Sequence, residues 1–233
     1  MKPPDLFQSI YRLKSKNIIY IFISLWFYRL NLKKIINVMY QEIVLALLLG
    51  LGLSASCGFR VFLPLLITSL AAYFKILPEG MVYSISWLGT LPAVITFATA
   101  SVIEIGGYYI PVVDNFLDFI ATPLSVAAGT LLTASFLQID NEMIKWGLGL
   151  IVGGGTAGIV QTGTAFTRLL SSKTTLTAGN GLLATGENTL AFSCAVFAFI
   201  VPVIAGVLAI AIVLIMLYFI KRSSTRLAKM KLS

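Results

Sequence analysis

Histidine is missing from all 233 residues of the chain. Its absence removes the commonest metal ligand and the usual proton shuttle near neutral pH. Cysteine is nearly as scarce: Cys57 and Cys194 are the two present, each inside an apolar run. They read as small apolar residues, which leaves no CxxC metal site and argues against a disulfide. Charge is thin as well, with 11% charged residues where soluble domains carry roughly a quarter. No glycine-rich loop ends in Gly-Lys-Ser/Thr, so a P-loop is excluded. No basic, aromatic-interleaved segment suits a nucleic acid. Neither a metal nor a cofactor is expected.

What remains is apolar. Hydrophobic residues make up 58% of the chain and the mean hydropathy is +0.94. That balance predicts an all-α, polytopic transmembrane helical bundle of about six spans. The runs lie at 42–57, 59–74, 87–110, 116–137, 143–170 and 188–220. The first two are short and meet at Gly58 and Arg60. The last is longer than one crossing requires, so it is either tilted or broken at Pro202.

The net charge of +8 sits at the two ends. Residues 1–38 form a basic extension, with seven Lys/Arg against Asp5 alone. Its apolar patch at 17–28 is too short to cross, given the roughly 20 residues a spanning helix needs. It reads as an interfacial helix, or as sequence ahead of a true start at Met39. Residues 39–220 form the transmembrane domain and 221–233 a basic tail. The positive-inside rule then places both termini in the cytoplasm of an inner-membrane protein. Loops 75–86 and 138–145 fall inside; the bends at 57–60, 111–116 and 171–187 fall outside. The expected partners are the lipid bilayer and anionic headgroups at the basic ends. Nucleic acid is not expected, and a homo-oligomer is compatible with the sequence.

Within this apolar chain the segment SVIEIGGYYIPVVDNFLDFIATP (101–123) carries Glu104, Asp114 and Asp118 with no Lys or Arg. Asp114 and Asp118 are four apart and share a helix face. Asp114 suits an N-cap, Asp118 the first helical turn, and Glu187 an N-cap ahead of NTLAFSCAVF. Capping does not cover Glu104, deep in its run. A charge at membrane depth costs roughly 2.5–3.5 kcal/mol, so it normally faces the bundle interior and has a partner or a task. The available partners are Arg60, between two runs, and Arg168, after the polar stretch QTGTAFTR. In the expected topology all of these groups fall toward the outer half of the bilayer, where they share a polar cavity or form a structural ion-pair network.

The segments at 50–66 and 153–170 are both small-residue helices ending in arginine, a weak internal repeat of the kind found in transporters. Gly149-x3-Gly153 and Gly154-x3-Gly158 provide close helix packing. The stretch 171–189 is long, polar and rich in Gly, Thr and Ser. It reads as an outer loop or a segment re-entering the membrane, since connections in bundles usually take about 2–8 residues.

The motifs LGLSASCGFRVFLPLL, PVVDNFLDFIATPLSVAAG, TGTAFTRLLSS and GNGLLATGEN, in this order, resemble a family of small bacterial membrane proteins known as domain of unknown function 4126. The likeness runs from about Met39 to Tyr218. The chain departs from the family pattern at Gly181, where a proline often follows the Asn. It departs again at Glu187-Asn188, where an acidic pair often stands. The resemblance implies a polytopic membrane protein and supplies no activity. The residues themselves point to a small transporter or flippase-like carrier. Its substrate or ion pathway would draw on Arg60, Glu104, Asp114, Asp118, Arg168, Asn180 and Glu187. A structural or assembly factor is the alternative. An intramembrane lipid-phosphate enzyme fits less well, because no DDxxD signature accompanies Asp114 and Asp118.

Overall fold

Apolar runs of this length can satisfy their backbone groups in lipid only as helices or closed barrels, and helices are what form. The computed structural model describes residues 41–77, 86–175 and 180–230. Within the helices, the side chains of 111–112, 114–115, 169–175, 180 and 223–230 lie outside the description. The expectations for residues 1–38 also fall outside it. The chain divides into two compact units, Met1–Glu42 and Ile43–Ser233, and the bundle described below is the second.

The elements are α1 (Gln41–Phe59), α2 (Phe62–Tyr73), α3 (Leu91–Gly107), α4 (Pro111–Phe136), α5 (Glu142–Leu148), a π-helical segment (Gly149–Gly154), α6 (Gly155–Thr175), α7 (Asn180–Ile200) and α8 (Pro202–Met230). Among the described residues there is no strand. Five stretches are long and apolar enough to cross a membrane: Gln41–Phe59, Phe116–Phe136, Glu142–Arg168, Gly181–Ile200 and Pro202–Arg222. The hairpin of α2 and α3 is shorter. Its helices have 12 and 17 residues, or about 18 and 26 Å at 1.5 Å per residue, against a hydrocarbon core of roughly 30 Å.

Local chemistry sets several boundaries. The Thr90 hydroxyl accepts from the Ala93 N–H to start α3, and Asn141 does the same for Ile144 to start α5. Proline opens α4 and α8, where its missing N–H costs no hydrogen bond.

α1 is the axis of the bundle. Ser54 Oγ donates to the Gly129 carbonyl of α4 at 3.1 Å, and Ser56 Oγ donates to the Ala191 carbonyl of α7. Gly58 lies so near α6 that a Cβ there would stand 2.7 Å from the Ala157 carbonyl oxygen. The helix directions follow from such pairs. Gly50 meets Thr133 while Ser54 meets Gly129, so α1 and α4 are antiparallel. Gly52 meets Ala198 and Ala205 together, so α7 and α8 form a V whose point lies beside α1. Gly163 meets Met216, and Phe166 stacks edge-on against Phe219, so α8 climbs beside α6 in the same direction.

This pairing decides between the two alternatives for the last run and revises the reading of 171–189. The run 188–220 is two helices that reverse at Val201, ahead of Pro202. The added reversal carries Lys221 to the level of Arg168, so the basic tail leaves from the end where the charged residues gather, not from the opposite end. The polar stretch 171–189 is mostly helix: α6 continues to Thr175 and α7 starts at Asn180. The two segments read as a repeat also differ at their arginines. Arg60 stands at a break between helices, whereas Arg168 lies within one continuous helix.

Candidate polar site

The α-helical ladder of α1 stops at Arg60, whose N–H is the last to bond back, to Ser56 O at 3.1 Å. The next two amides turn elsewhere. Val61 N donates to Glu104 Oε1 at 2.7 Å and Phe62 N to Glu104 Oε2 at 3.0 Å. The carboxylate of α3 therefore occupies the amino end of α2, where unpaired N–H groups and the helix dipole favour negative charge. Glu104 is 5% exposed, the deep carboxylate expected from the sequence. Among the described residues it makes no salt bridge to either arginine, although both stand within electrostatic reach.

Arg60 is fully buried. Its Nε donates to Asn188 Oδ1, its Nη2 to the Ala184 carbonyl at 3.2 Å, and Nη2 also lies 3.3 Å from Glu187 Oε2. Nη1 has no partner among the described residues. Arg168 pairs with Asp118 through Nη1 and with Glu187 through Nη2. Glu187 thus bridges the two cations through one oxygen. Both guanidinium carbons also lie over the Tyr108 ring, 3.8 and 3.9 Å from its centroid.

Five groups expected to belong to one site are therefore gathered from the α1–α2 joint, α3, α4, α6 and α7: Arg60, Glu104, Asp118, Arg168 and Glu187. Asp114 and Asn180 lie on helices whose backbone is described but whose side chains are not. The capping expectation for Glu187 fails, because α7 begins seven residues earlier and Glu187 is an interior position committed to two arginines. Asp114 is likewise inside α4, whose N-cap is Ile110. Two contributors lacked a charge to announce them. Tyr108 stands four residues after Glu104, hence on the same helix face, and Asn188 adjoins Glu187.

The described side chains of the site carry two formal positive and three formal negative charges. Such a set can exchange an ionic partner or a proton, because each guanidinium holds donors that a competing oxyanion could take. Among the described residues no group of three His, Cys, Asp or Glu is arranged to hold a metal.

Over residues 47–222 the chain matches the family model described as Domain of unknown function (DUF4126). No curated protein and no solved structure matches it.

Proposed function

We propose, for a chain that belongs to this family and inherits no activity from it, that the protein is a small membrane carrier whose substrate carries an anionic group. One observation carries the reading: a buried guanidinium–carboxylate cluster built on a broken helix inside an apolar bundle. Ionisable groups at such depth are expensive and usually mark a substrate or ion pathway. Broken helices with free half-helix ends are the usual scaffold of carrier sites. Arg60 and Arg168 would bind the anionic group in competition with Glu187, and Arg60 Nη1 offers a further buried donor.

The test is flux in proteoliposomes loaded with a pH-sensitive dye and challenged with a panel of small organic and phosphate-bearing anions. Wild type is expected to respond to a subset, and R60A to lose that response while inserting normally. If R60A and E104Q both insert and leave flux unchanged, the cluster is not the site.

An assembly role is the second reading. It is favoured by a shallow groove of about 580 Å³ lined by Gly154, Gly155, Gly158, Val126 and Leu217, since small residues admit a neighbouring helix in lipid. Under it, charge substitutions lower abundance without altering flux, and a stable complex survives mild detergent.

A further inference from the structure

The carrier reading leaves open what compensates the charge of an incoming anion. The described side chains already sum to minus one: Arg60 and Arg168 against Glu104, Asp118 and Glu187. Asp118 and Glu187 are both committed to guanidinium groups. Glu104 is not; both its oxygens are held by backbone amides alone. It is the carboxylate whose charge the arginines offset least, and the one whose protonation would change a backbone contact.

Its surroundings fit that role. The Val61 and Phe62 amides would, in an unbroken helix, bond to the carbonyls of Cys57 and Gly58. Because they bond to Glu104 instead, those carbonyls lie at the open carboxyl end of α1. One turn before Glu104, on the same face of α3, Ser101 is 2% exposed and its hydroxyl has no partner among the described residues. A buried hydroxyl without a partner is uncommon, and it can pass or receive a proton. The titratable and charged groups facing Glu104 are Arg60 at the joint, Arg168 from α6 and Cys57 from α1, while Tyr108, at the end of its own helix, faces the two arginines. Asp118 of α4 and Glu187 of α7 stand behind the arginines. α2 adds no ionisable group near its amino end.

We infer that Glu104 is a proton-binding group whose charge state sets the α1–α2 joint: ionised, it clamps the amino end of α2, and protonated, it releases one of the two amides. This deepens the carrier reading and rests on it for its purpose, not for its chemistry. The proton comes from water at the charged end of the bundle and forms an O–H bond on Glu104. The sum over the five described groups goes from minus one to zero, which makes room for one anionic charge at Arg60 and Arg168. The sign follows directly. The ionised form accepts from both Val61 and Phe62, so the clamp is complete at high pH and is lost as pH falls through the titration of Glu104.

Two readouts that involve no transport test this, both on the full chain in lipid nanodiscs. The first is hydrogen exchange of a peptide covering 57–66, followed alongside a peptide from the interior of α4. On acidification the 57–66 peptide is expected to gain about tenfold in rate over the α4 peptide, as loss of a hydrogen bond to a charged group implies. E104Q, which retains one acceptor as the protonated acid does, is expected to be fast at every pH. The second is infrared difference spectroscopy across the same range, which should show a carboxylic acid band that E104Q lacks. Wild-type exchange at 57–66 that keeps pace with the α4 peptide at all pH values overturns the inference, even if E104Q fails to accumulate. A midpoint that moves with sodium concentration, at fixed ionic strength set with choline, also overturns it, because a metal cation would then hold the place given to the proton. Flux without any pH-dependent loosening leaves the carrier reading standing and removes this one. Loosening without flux does the reverse.

Discussion

Tyr108 does the work of a counter-ion without carrying a charge. Two guanidinium groups lie within 4 Å of its ring centroid, and a desolvated cation–π contact contributes about 2 kcal/mol. The Tyr108 hydroxyl is hydrogen-bonded to Arg168; Y108F keeps the ring and should cost about 1 kcal/mol or less, the usual net worth of one hydrogen bond. Y108L keeps apolar volume but no π-face and should cost about 2–4 kcal/mol if the two contacts add. Unfolding of both variants in detergent measures the difference; equal losses would mean the ring serves only as packing. This residue also marks the limit of what could be read in advance. Glu104, Arg60 and Arg168 were legible because a charge in an apolar run is costly and so demands an account. Tyr108 and Asn188 carry no charge that demands an account: nothing in the sequence singled out Tyr108, and Asn188 stood out only as a departure from the family pattern, before the fold brought both to the arginines.

The helices pack by the removal of side chains. The π-helical segment lies flat on α4: a Cβ on Gly153 would fall on the Gly129 carbonyl oxygen, and one on Gly129 would stand 2.7 Å from the Gly153 carbonyl oxygen. Backbone cannot yield as a flexible side chain can, so G153A should destabilise by about 1–3 kcal/mol or more. Gly155, two residues on, has nothing within 4 Å of its missing Cβ. G155A should therefore be neutral or stabilise by up to about 1 kcal/mol through helix propensity alone. Thermal unfolding of the pair checks both, and a similar loss for each would disprove the packing account. The close-packing role was legible from the four-residue spacing: Gly149, Gly153, Gly154 and Gly158 all face α4, and Gly155, which stands outside that spacing, does not. The stretch 171–189, by contrast, resembles a loop in sequence. Its Gly, Thr, Ser and Asn content suits turns, yet Arg168 and Glu187 must lie on rigid helix to meet, and tertiary contacts override such weak propensities.

At the scale of the molecule, the reversal at Val201 matters most. A single helix over 188–220 would place the basic tail at the same membrane face as the connection near Asp140, far from the cluster. The V formed by α7 and α8 instead sets Asp140 and Arg222 at opposite ends of the bundle, with the cluster at the end of Arg222. No hydropathy pattern distinguishes these cases, because Pro202 inside a largely apolar run of 33 residues is equally compatible with a kink and with a turn. Labelling does distinguish them. With Cys57 and Cys194 replaced by alanine, D140C and R222C should react with a membrane-impermeant maleimide from opposite faces of sealed vesicles. Modification of both from the same face would restore the single helix and remove the cluster from the tail's side. If they label oppositely, the face at which R222C reacts is also the face from which Glu104 would take its proton and the two arginines their anion. The basic tail would then stand beside that entrance, where its charge raises the local concentration of anions.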